Sequence, residues 1–151
     1  MHQGRGLIGS LLLFGGLAML ARRRLDVVEV RGRSMAPTLL PGDRLLVARL
    51  APRLGDVVVA TDPCDPRREL IKRVARADAS GVHLRGDNPA FSTDTRVFGA
   101  LPRDAATWRA VLRYWPRTRI GRIPAVPAAF ARVDEGGEPA CTYPEALIAG
   151  D

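Results

Sequence analysis

Lysine is almost missing from this chain of 151 residues: Lys72 stands alone beside twenty-two arginines. Histidine and cysteine are nearly as scarce, with His2 and His83, and Cys64 and Cys141, as the only examples. So few nitrogen and sulfur ligands, so widely spaced, match neither a disulfide framework nor a zinc pattern, and no metal or cofactor is expected. One bridge between the cysteines remains open; two free thiols in a reducing compartment are the simpler reading. Aromatic residues make up only 5% of the chain and do not alternate with the bases as stacking platforms would. The arginines are scattered, clustering only at Arg22-Arg23-Arg24 and Arg67-Arg68. A net charge of +7 spread in this way does not make a nucleic-acid footprint, and no nucleic-acid partner is expected.

The length fits one modest core with short appendages. Residues 1–24 hold an apolar run from Gly6 to Ala21, interrupted by glycines and ended by three arginines. It competes as a short membrane anchor, a cleaved leader or a packed helix. Arginines stand where a small-x-small cleavage site would follow, which favours the anchor. The positive-inside rule then leans the following domain toward the cytoplasm, while Arg5 and the amino terminus pull the other way, toward the extracytoplasmic face. Anionic lipid is a matching partner for so basic a chain. Residues 25–122 read as short strands between turn formers: Leu25–Arg31, Arg44–Leu50, Asp56–Thr61, Glu69–Arg76, Gly81–Arg85 and Ala110–Trp115. That pattern predicts a mostly-β domain, a compact barrel or sandwich. Residues 123–151 are rich in Pro, Ala and Gly, and past Arg132 they carry five acids and no base, the composition of a flexible acidic tail.

The lone lysine carries the chemical argument. Guanidinium stays protonated in proteins, whereas a buried ammonium can lose its proton and serve as a base. On its predicted strand Lys72 alternates with Leu70 and Val74, so it should face an apolar interior or a cleft. Ser34 is one of four serines and sits in Gly32-Arg33-Ser34-Met35-Ala36-Pro37. Pro37 disfavours a helical Ala36, which predicts an extended turn with an exposed hydroxyl. A serine with a neutral lysine makes a nucleophile and base without histidine. In the loop 86–99, Ser92 could orient the amine, and Asp94 could pair with Arg96 or with Arg73. The plainer alternatives are a turn serine, a snorkelling lysine and an ordinary Asx loop.

Taken together, Ser34-Met35-Ala36-Pro37-Thr38-Leu39, Pro41-Gly42-Asp43, Gly55-Asp56-Val57-Val58, Ile71-Lys72-Arg73-Val74 and Gly86-Asp87-Asn88 with Ser92-Thr93-Asp94-Thr95-Arg96 and Gly99 resemble the signal peptidase I family. The resemblance spans about residues 27–99. It implies a mostly-β catalytic fold, Ser34 as nucleophile, Lys72 as general base and Ser92 as the serine that orients it. Asp94 and Arg96 match a structural ion pair, Met35 the residue beside the nucleophile, and Asp87 and Arg73 fall in the same blocks as structural neighbours. Where many housekeeping members carry a serine as second oxyanion donor, this chain has Gly32, so the backbone at Ser34 and Gly32 must serve. The small size and the ending Leu112-Arg113-Tyr114-Trp115-Pro116 look most like the nickel-type superoxide dismutase maturation proteases. The implied partner is then a precursor bearing an N-terminal leader, either that dismutase or an exported protein, with no metal or cofactor required. Three rivals stand beside this reading. A self-cleaving repressor would need a DNA-binding unit before Ser34. A Ser/His/Asp hydrolase would have to use His83. A catalytically inactive β module on a membrane would need neither Ser34 nor Lys72.

Overall fold

The computed structural model describes Gly15 and residues 22–123. Six strands form: β1 (Leu25–Glu29), β2 (Arg44–Arg49), β3 (Val57–Asp62), β4 (Asp65–Asp78), β5 (Gly81–Arg85) and β6 (Trp108–Trp115). They make one antiparallel sheet in the order β1-β2-β6-β3-β4-β5. The mostly-β expectation therefore holds, with the strands gathered in a single sheet. Tight turns join β3 to β4 and β4 to β5, so these three strands pair with sequence neighbours. β6 inserts between the two halves, with Leu46 opposite Leu112 on one side and Val58 opposite Arg109 on the other.

The run Val57-Val58-Val59-Ala60 is apolar without alternation because β3 is buried on both faces. Val58 and Ala60 join Leu70, Val74, Val82, Leu84, Phe98 and Leu101 in one cluster. Val57 and Val59 join Val30, Met35, Leu39, Leu45 and Val47 in the other. Each such side chain taken fully out of water contributes about 1.5–3 kcal/mol.

β4 begins at Asp65, earlier than the expected Glu69, because Asp65-Pro66-Arg67-Arg68 is exposed and carries no apolar pattern to read. The loop 86–99 holds a 3-10 turn at Pro89–Phe91 and one helical turn, α1 (Thr95–Phe98), whose N-cap Asp94 accepts from the Arg96 amide. Cys64, in the β3–β4 turn, is disulfide-bonded, which corrects the expectation of a free thiol. Spacing along the chain does not report distance in space. Among the described residues no helix is long and apolar enough to cross a membrane. The apolar run 6–21, apart from Gly15, and the tail from residue 124 lie outside those residues.

Candidate active site

Lys72 sits opposite Val58 in the β3–β4 ladder, between Leu70 and Val74 on the same face. Only 2% of its surface is exposed, as the alternation predicts. Burial lowers its pKa from 10.5 to about 8; Asp94 opposes the shift and Arg68 adds to it. Among the described residues the Lys72 amine makes no hydrogen bond or ion pair. Burial, rather than a fixed counter-ion, therefore sets its basicity and makes the neutral amine easier to reach near pH 7.

Ser34 lies in a tight turn rather than the expected extended one: the Ala36 N–H donates to the Arg33 carbonyl at 3.1 Å, and the Leu39 N–H to the Met35 carbonyl at 2.9 Å. The cis Ala36–Pro37 peptide lies inside this turn. Met35 and Leu39 anchor it by burying their side chains in the core. The Ser34 carbonyl accepts from the Asn88 N–H at 2.8 Å. Neither its own N–H nor its hydroxyl has a partner among the described residues, so both remain available to a substrate. Gly86 permits this approach of two loops. A Cβ there would lie 2.6 Å from the Ser34 carbonyl oxygen and 2.3 Å from the Ser92 hydroxyl.

Ser34 and Lys72 line the same groove, about 850 Å³ in volume. One wall is β1 continued through Gly32 to Met35; the other is the first half of β4, from Asp65 to Lys72. Gly32 faces open space, with nothing within 4 Å of where a side chain would begin.

The ion pairs around the site separate cleanly. Asp94, fully buried, pairs with Arg96 at 2.9 Å and accepts from Ser92 at 2.8 Å and from the Gly86 N–H at 3.2 Å. Burial alone would raise its pKa; the Arg96, Ser92 and Gly86 hydrogen bonds outweigh that and hold it low. Arg73 belongs instead to Asp87, at 2.6 Å, and also donates to the Gly55 carbonyl at 2.8 Å. The Ser92 hydroxyl proton points at Asp94, which leaves the oxygen lone pairs as acceptors.

A Ser/His/Asp grouping exists at the β4–β5 turn, where Ser80 lies 3.2 Å from His83 Nε2 and Asp78 lies 3.5 Å from the same nitrogen. A catalytic base needs its nucleophile and its orienting acid on opposite ring nitrogens. The Ser80 hydroxyl, moreover, donates to Asp78. This cluster does not have triad geometry. Two contributors escaped the sequence reading: the Asn88 amide, and the Asp43 carboxylate described below. The turn-former run Gly86-Asp87-Asn88 was the signal for the first.

The family model described as "Signal peptidase, peptidase S26" matches residues 5–77. A mitochondrial ATP-independent inner membrane protease subunit 1a of Arabidopsis thaliana is 35% identical over 127 residues, covering 66% of this chain and 76% of that protein. The chain belongs to the signal peptidase, peptidase S26, family. Mitochondrial inner membrane protease subunit 1 of Homo sapiens is 28% identical over 147 residues, covering 80% and 89%. Its Xenopus tropicalis counterpart is 30% identical over 148 residues, covering 81% and 89%. These names stand closer to the general signal peptidase branch of the sequence reading than to a dedicated dismutase maturase.

Proposed function

We propose that this S26 chain is a serine endopeptidase that removes N-terminal leaders from precursor proteins at a membrane, with Ser34 and Lys72 as its catalytic pair. The observation that carries this reading is a buried lysine, with its pKa lowered to about 8, on the same groove as an unpartnered serine hydroxyl. Neutral Lys72 takes the Ser34 proton as the serine oxygen adds to the scissile carbonyl. The Ser34 N–H, with the backbone at Gly32, stabilises the oxyanion. Lys72 then donates that proton to the leaving amine, and an acyl-enzyme ester remains. Water, deprotonated by Lys72, releases the leader and restores the serine. Ser92 makes no hydrogen bond to the amine in the structure. Its oxygen, with the proton given to Asp94, is the acceptor that directs the amine during turnover in this reading, while Asp94 with Arg96 and Arg73 with Asp87 hold the loop behind it.

The site works on the extracytoplasmic side in this reading. A disulfide at Cys64 belongs in an oxidising compartment, which outweighs the cytoplasmic lean drawn from Arg22-Arg23-Arg24. Maturation of a nickel-type superoxide dismutase is the narrower alternative, resting on chain size and the Leu112–Pro116 ending.

Intact mass of leader-bearing precursors after incubation tests both, using one export precursor and one dismutase precursor. Wild type should make one defined cut in the export precursor, and Ser34→Ala and Lys72→Ala none. A cut that survives Ser34→Ala would sink the catalytic assignment. A cut confined to the dismutase precursor would restore the narrower one.

A further inference from the structure

The loop that carries Ser34 leaves the sheet at Val30 and re-enters it at Asp43. Its ends are tied by the Val30 N–H donating to the Asp43 carbonyl and the Gly42 N–H to the Val30 carbonyl, both at 2.8 Å. The Asp43 carboxylate is buried, only 2% exposed, and accepts from the Leu40 N–H at 2.9 Å. Two arginines from the far end of the domain converge on it. Arg119 Nη1 reaches both carboxylate oxygens, at 3.0 and 3.1 Å, and its Nη2 reaches the Thr38 carbonyl at 3.2 Å. Arg113, on β6, donates to the same Thr38 carbonyl at 3.0 Å and lies 3.5 Å from Asp43. Arg113 also donates to the Arg119 carbonyl, and its backbone pairs with Gly121, so the two guanidinium groups are fixed relative to each other.

We propose that Asp43, Arg113 and Arg119 form a clamp that positions the nucleophile loop, making both arginines positioning residues for Ser34. The proposal rests on the Ser34/Lys72 reading above. The clamp grips the loop at Thr38 and at its exit, while the Asn88 amide holds it at Ser34 itself. None of the three clamp residues lines the groove, so none is placed to touch substrate. A planar guanidinium holds both carboxylate oxygens and a carbonyl in one rigid fork, a geometry the single ammonium nitrogen of lysine does not reproduce. Because a misplacement of about 1 Å in a reacting group costs up to about a hundredfold in rate, loosening this loop should act on turnover before binding.

The full-length protein tests this with Arg119→Ala, Arg119→Lys and the isosteric Asp43→Asn, which keeps the test alive if Arg119→Ala does not fold. Two readouts are needed: kcat and KM on a leader-bearing peptide, and hydrogen exchange of the amides in 35–42. The expected result is a kcat loss of at least about tenfold with KM changed less than about twofold, faster exchange confined to that loop, and only partial recovery in Arg119→Lys. Folded variants with unchanged loop exchange would overturn the clamp. So would wild-type kcat, or a loss that appears in KM alone. Turnover that persists in Ser34→Ala would remove the reading on which the positioning role rests, while the exchange data would still judge the mechanical clamp.

Discussion

With a pKa lowered by burial to about 8, Lys72 is mostly protonated at pH 7 and mostly neutral above pH 9. Only the neutral amine can accept the Ser34 proton, so kcat/KM for a leader peptide should rise with pH through about 8 and level off about one unit above it. A profile flat from pH 6 to 9 would remove Lys72 as the base. The same burial bears on stability. The folded pKa lies below the unfolded value of 10.5, so the native state binds fewer protons between about 8 and 10.5. The lysine therefore weakens the fold below about pH 8, and the penalty fades as pH rises through that window. Lys72→Met keeps the length and removes the charge. At pH 7 it should abolish cleavage yet raise stability by about 1 kcal/mol, read as a Tm increase of roughly 4–8 °C. A drop in Tm would mean that the amine is held by favourable partners after all.

Among elements, β4 was the most legible. Its alternation of Leu70, Lys72 and Val74 announces a buried face, and the structure buries all three. Ser34 was legible as a turn residue, but the turn is tighter than Pro37 alone suggests, because Met35 and Leu39 both bury their side chains and pull it inward. The Asp43 clamp was not legible. Its arginines lie 70 and 76 residues away and look like any other of the twenty-two. The residues alone left Asp94 open to Arg96 or Arg73; the family resemblance pointed to Arg96, which the structure gives it, and Arg73 goes to Asp87. The crossing of the Ser34 and 86–99 loops yields a prediction for Gly86→Ala. Its new Cβ would meet the Ser34 backbone oxygen, which cannot swing aside like a side chain. The variant should lose about 1–3 kcal/mol in denaturant unfolding and most of its activity. Wild-type turnover would show that the two loops can part without consequence.

At the scale of the whole molecule, Cys64 ties the β3–β4 turn through a disulfide, next to the wall of the groove. Reductant, or Cys64→Ser, should lower stability by about 2–4 kcal/mol, measured as a fall in Tm. An unchanged Tm in reductant would remove the support this bond gives to an oxidising compartment.

The strand order has a further consequence for how such a protein comes into being. Ser34 follows β1 in one half of the sheet and Lys72 lies on β4 in the other; β6, late in the described chain, is the strand that joins β2 to β3. A nascent polypeptide can form each hairpin early, but the long-range pairing waits for synthesis to reach Trp115. Until then the two reactive groups sit on separate pieces. In the proposed reading, the Ser34/Lys72 groove is therefore complete only once β6 has joined the two halves.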